Sequence, residues 1–162
     1  MRAFPIADHH SIAGAVRAAS GQKPAALLVS PDYHDAATLQ PIFDRQQWKL
    51  YTTETLVSAL RLVHEESIPV IVSERDLPPY DWRLLFEQTR DLTHRPSIVV
   101  ASSLADEYLW SEVLNLGGHD VLAKPFREAE VVHVLSHAWR QRHTETDGMK
   151  GVGWADLVGR SA

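Results

Sequence analysis

His133 and His137 stand four residues apart, a spacing that puts two imidazoles on one helical face where they could share a metal ion. The zinc-protease pattern needs a glutamate directly after the first histidine, and Val134 stands there instead. Arg140, Arg142 and His143 follow closely, so the stretch reads better as a solvated basic face than as a metal site. Asp8-His9-His10 has the look of a metal-dependent phosphoesterase triplet, but it lies outside any strand pattern and has no companion carboxylates. Gly151-Val-Gly153 lacks a preceding strand and a third glycine, so it does not form a dinucleotide loop. Ser, His and Asp are all present, yet no nucleophile-elbow sequence presents a serine for attack. The chain has no cysteine, which removes thiolate nucleophiles, disulfides and Cys-ligated metals together.

Four apolar runs read as buried strands: Ala25–Val29, Pro69–Val72, Ser97–Ala101 and Asp120–Ala123. Trp48–Tyr51 alternates more and reads as an edge strand. Helical patterns separate them: 35–47 with Pro41 inside it, which should kink it or move its start; 54–66; a helix capped by Asp81; one carrying Leu109, Val113, Leu114 and Leu116 that ends at Gly117-Gly118; and one carrying Val131, Val132, Leu135, Ala138 and Trp139. Continuous apolarity in the strands and right-handed crossovers between them predict an α/β fold, a doubly wound parallel sheet of five strands with helices on both faces. The domain is expected over residues 24–143, preceded by an N-terminal extension, 1–23, with a short helix at Ser11–Ala19, and followed by a flexible tail, 144–162. Sites in such sheets lie at the carboxyl ends of the strands. Those ends carry Ser30-Pro31-Asp32, Ser73-Glu74, Ser102-Ser103 and Lys124-Pro125. The first of these loops has no glycine to bring its backbone close to a phosphate, which disfavours flavin mononucleotide.

With 162 residues, 44% of them apolar and 23% charged, the chain has the balance of an ordinary globular protein. A net charge of −5 argues against nucleic acid as a partner. The longest apolar runs, about five residues, fall far short of the ~20 that span a bilayer, and the N-terminus lacks a secretory core. A cytoplasmic location without membrane contact is expected.

Asp120-Val-Leu-Ala-Lys-Pro-Phe126, Asp76-Leu-Pro-Pro-Tyr-Asp81 and Leu27-Leu-Val29 followed by Leu39, Ile42 and Trp48 carry a resemblance. Over residues 24–142 the chain resembles a response-regulator receiver domain of the chemotaxis-regulator type, which implies a flavodoxin-like fold with strand order 2-1-3-4-5. In that family an aspartate ending the third strand accepts a phosphoryl group, an acidic pair after the first strand holds Mg²⁺, and a hydroxyl and a lysine bind the phosphoryl oxygens. By this resemblance Lys124 is the lysine, Pro125 follows through a cis bond, and Ser102 is the hydroxyl. Glu74 stands where the phosphoacceptor aspartate belongs. Ser30 and Pro31 replace the acidic pair, leaving Asp32 one place further on. Val121 replaces a common aromatic switch residue, and Trp82 a common glycine.

These departures imply a pseudo-receiver. A glutamate reaches one methylene further than aspartate, and loss of the acidic pair removes most of the charge that would hold Mg²⁺. No cofactor is expected. A direct Glu74–Lys124 ion pair, with Ser102 hydrogen-bonding the carboxylate, should lock the pocket in one state, unless the pocket has simply decayed. The expected function is non-enzymatic, phosphorylation-independent signalling by a stand-alone module in a two-component system or phosphorelay. The alternatives are an unconventional phosphoacceptor, Glu74 or Asp32, and a small-ligand sensor using the vacated pocket. Family partners usually bind the face made by the fourth helix, fifth strand and fifth helix. Leu104, Tyr108, Trp110 and Val121 are therefore the candidate surface for a protein partner or a second copy, with inward packing of Trp110 as the alternative.

Overall fold

Short, continuously apolar segments set between period-3.6 stretches decide the architecture. A computed structural model of the chain describes residues 23–151, with side chains described as far as Glu145. The elements run β1 (Ala25–Val29), α1 (Tyr33–Gln46), β2 (Lys49–Thr53), α2 (Leu56–Glu65), β3 (Val70–Glu74), α3 (Trp82–Thr89), β4 (Ser97–Ser102), α4 (Glu107–Leu116), β5 (Asp120–Ala123) and α5 (Glu128–Gly151). The five strands pair in parallel in the order β2-β1-β3-β4-β5, the doubly wound sheet that the sequence predicts. β2 is an edge strand, as its alternation indicates.

Successive residues of each inner strand serve opposite faces. Ala26, Leu28, Val70, Val72, Val99, Ala101 and Leu122 join Leu39, Ile42 and Phe43 of α1 and Val131, Leu135 and Trp139 of α5 in one core. Leu27, Val29, Ile71, Ile98, Val100 and Val121 join Leu56 and Ala59 of α2, Trp82 and Leu85 of α3, and Leu109 and Val113 of α4 in the other. Trp48, Phe43 and Trp139 meet edge to face in the first core, and the Trp139 indole N–H donates to the Ala25 carbonyl at 2.9 Å.

Side-chain caps start the helices. Asp32, Thr55, Asp81 and Asp106 each accept a backbone N–H of the first turn of α1, α2, α3 and α4, and each such cap contributes about 1 kcal/mol. Because Asp32 is the cap, α1 begins two residues earlier than its apolar pattern suggests, and Pro41 sits inside it at the cost of one intrahelical hydrogen bond. Two features differ from the sequence reading. Asp76–Leu77 and Tyr80–Asp81 pair as a small antiparallel hairpin around a cis Pro78–Pro79 bond. The last helix continues to Gly151, past the boundary expected at 143. Ser11–Ala19 and Asp8-His9-His10 lie outside the described residues, as does most of Gly151-Val-Gly153.

Candidate functional site

The strand register delivers the candidate residues to one end of the sheet. Val29 of β1 pairs with Ser73, Glu74 of β3 pairs with Ala101, and Ser102 of β4 pairs with Ala123. The next residues, Ser30 and Lys124, therefore emerge beside Glu74 and Ser102, and the Lys124 N–H extends the ladder by donating to the Ser102 carbonyl at 3.0 Å. The Lys124–Pro125 bond is cis.

Lys124 and Glu74 are in direct contact, Nζ to Oε2. The same ammonium also donates to Asp35 Oδ2 at 3.1 Å. Asp35, in the first turn of α1, is buried, and its Oδ2 accepts a second hydrogen bond from Ser30 Oγ at 2.6 Å. Ser30 Oγ in turn accepts the Asp32 N–H at 3.1 Å. One cation thus serves two carboxylates in a setting where all three side chains are at most 18% exposed.

Ser102 is buried, and its hydroxyl accepts the Leu104 N–H at 3.0 Å, which shapes the β4–α4 loop. Asp32 is exposed and points its Oδ1 at the His34 N–H, at 2.9 Å, as the helix cap. Asp35 is the residue that the sequence reading left out of the site. Its signal was available: it falls in line with Leu39, Ile42 and Phe43 on the apolar stripe of α1, where a carboxylate must find a partner.

The electrostatics follow from burial and the two-to-one charge ratio. Burial raises the Glu74 pKa; the Lys124 hydrogen bond and charge oppose this without cancelling it, and the Asp35 charge pushes it further up. Burial works against the Lys124 charge, but hydrogen bonds to Glu74 and Asp35, with their charges, outweigh it and hold the ammonium pKa above the ordinary lysine value.

On α4 and the loop before it, Leu104, Tyr108 and Trp110 are 63%, 78% and 50% exposed, so Trp110 does not pack inward. Its indole N–H reaches Asp120 Oδ1 at 3.3 Å. Val121 is 8% exposed and packs in the core beside Leu109 and Val113, and it also forms the floor of a groove lined by Trp110, Ala105 and Ala123. His137 Nδ1 lies 3.2 Å from His119 Nε2, while no group of three or more His, Cys, Asp or Glu among the described residues is arranged to hold a metal ion. No described helix is long and apolar enough to cross a membrane.

The sequence pattern of the response regulator receiver domain matches residues 26–136. A two-component response regulator-like protein of Arabidopsis thaliana, APRR1, is 29% identical over 116 residues, 67% of this chain. The match spans only about a fifth (19%) of that relative's length. Among solved structures, the signal receiver domain of an HD domain-containing protein from Pseudomonas fluorescens is 21% identical, with a TM-score of 0.70 over 77% of this chain and 93% of that one. The receiver domain of a Pseudomonas aeruginosa sensor histidine kinase, solved with a magnesium ion in its active-site cleft, is 20% identical, with a TM-score of 0.65 over 74% of this chain and 99% of that one. These likenesses place the sheet and its helices in one fold.

Proposed function

Because the chain belongs to the response regulator receiver family, we propose that it is a pseudo-receiver of two-component signalling, working through protein contact without phosphorylation of the pocket and without enzymatic turnover. The observation that carries this reading is the pairing of Lys124 with both Asp35 and Glu74. In a phosphorylated receiver the lysine binds the incoming phosphoryl oxygens, and a divalent cation offsets the charge of the carboxylates. Here the ammonium is already paired with buried Asp35 and partly buried Glu74, so the pocket is held in one arrangement by its own side chains.

The donor set also fits Mg²⁺ poorly. That ion requires near-octahedral oxygen ligands and is usually anchored by one or two carboxylates. Ser30 and Pro31 offer none where the family has its acidic pair, Asp32 caps a helix, and Asp35 is engaged by Ser30 and Lys124. The exposed Leu104, Tyr108 and Trp110 supply the apolar area on α4 and the loop before it that a protein partner would cover.

The test is tryptophan fluorescence of the chain on adding beryllium fluoride with Mg²⁺, alongside mass spectrometry after incubation with acetyl phosphate and Mg²⁺. The expected result is no Mg²⁺-dependent spectral change and no phosphorylated species. An acyl phosphate on Glu74 or Asp32 would overturn the reading in favour of an unconventional acceptor.

A further inference from the structure

The groove between α4, β5 and the start of α5 joins two chemistries in about 260 Å³. One part is apolar, made by Val121, Ala105, Ala123 and the Trp110 ring. The rest is acidic: Asp106 caps α4, Glu107 stands in its first turn, and Glu130 stands in the first turn of α5. No described lysine or arginine lines the groove. Trp110 is half exposed, and its indole N–H reaches Asp120 at 3.3 Å, which fixes the ring and sets a fourth carboxylate against it. The volume falls below the roughly 300–1,000 Å³ of small-molecule pockets and suits a large side chain instead.

We propose that this groove takes a segment of another protein that carries an apolar anchor flanked by lysine or arginine, an inference that rests on the chain being a protein-binding module and names its partner's chemistry. The anchor displaces water from Val121 and the alanines and packs on Trp110, a residue type enriched at the centres of interfaces. The flanking cations meet Glu107 and Glu130 at the rim and can stack on the indole face. Symmetry works against a second copy as the occupant. A two-fold pair through this face brings the two acidic rims together, and each chain already carries a net charge of −5. An anionic partner meets the same repulsion.

The test is calorimetric titration of the full chain, without Mg²⁺ or a phosphoryl donor, with two synthetic peptides at constant ionic strength. One is built of leucine, phenylalanine and lysine, and the other has glutamate for every lysine. Saturable binding of the lysine peptide and none of the glutamate peptide is expected. Trp110→Ala should weaken that binding about tenfold, and Glu107→Gln with Glu130→Gln about fivefold. Glu54→Gln with Glu65→Gln, at the two ends of α2 toward the other edge of the sheet, should titrate like the parent. No saturable binding of the lysine peptide, equal binding of both peptides, or equal weakening by the groove and α2 variants would overturn the proposal. Self-association in sedimentation that Trp110→Ala abolishes would overturn it in favour of a second copy. Phosphorylation of Glu74 would sink the pseudo-receiver reading and leave these titrations unchanged, so the two fail separately.

Discussion

Lys124 stands between two carboxylates that have few other means of neutralisation, so the three side chains differ in what their loss should cost. Removing the lysine leaves Asp35 and Glu74 facing each other with no cation between them. Removing the charge of Glu74 leaves the Lys124–Asp35 pair and its Ser30 hydrogen bond in place. Lys124→Met should therefore cost about 3 kcal/mol, the low end for breaking a buried ion pair because the pocket sits at the sheet rim. Glu74→Gln should cost about 1 kcal/mol, since glutamine keeps a polar contact with the cluster. Urea denaturation of both variants checks the order, and equal losses would show that Asp35 does not share the lysine. The Glu74–Lys124 pairing was legible because strand-end positions in a parallel sheet converge wherever the register aligns. Asp35 was not, because its contribution depends on how the first turn of α1 folds back over β1. The contact of Ser102 with the Leu104 amide was equally hidden, because only three-dimensional placement brings that loop N–H to the hydroxyl.

At the scale of elements, the strands and caps were readable because each rests on local signals, whereas ends and small pairings depend on what lies alongside. Asp81 and the Gly117-Gly118 stop act as their types predict: Asp81 accepts the Arg83 N–H at 2.9 Å, and Gly117 closes α4 at φ 104°, where a side chain would be strained. The Pro78–Pro79 hairpin carried no alternating pattern to announce it. Val121 and Leu122 are neighbours in a two-faced strand, so one serves each core, and this much was readable from the sequence. Gly118 shows how tightly the α4–β5 connection is packed. Its N–H donates to the Val113 carbonyl at 2.8 Å, and an added Cβ would lie 2.5 Å from Val113 Cγ1 and 3.0 Å from that same carbonyl oxygen. Val113 is fully buried and the second obstacle is backbone, so the helix end itself must move. Gly118→Ala should destabilise the protein by about 1–3 kcal/mol, the usual range for overpacking, read as a lower urea midpoint. An unchanged midpoint would mean that the connection has slack that this packing does not show.

For the molecule as a whole, the Lys124 cluster sits at the carboxyl ends of the strands, at one end of a sheet that carries an apolar core on each face. The cores fix the position of that end, so titration there registers as global stability. Glu74 has a native pKa above its ordinary value of 4.5, chiefly because of burial. In the window between 4.5 and that raised value the native state binds more protons than the unfolded chain. Stability attributable to Glu74 is then fully present below 4.5, falls as pH rises through the window, and is constant above it. Other carboxylates follow their own slopes, so the difference between the parent and Glu74→Gln, not the parent alone, isolates this contribution. Urea unfolding of both proteins from acid to neutral pH should show the parent losing stability relative to the variant as pH rises. Lys124 gives a second, separate signature: its native pKa lies above the ordinary 10.5, so its contribution is intact below 10.5 and is lost only as pH climbs through the native value. Glu74→Gln should shrink that alkaline loss by removing one of the two carboxylates that raise the lysine, and Asp35 should preserve the remainder. A pH-independent difference between parent and variant across the acid window would mean that Glu74 ionises in the folded protein as freely as in the unfolded chain, and the cluster would then have no excess of negative charge to hold in check.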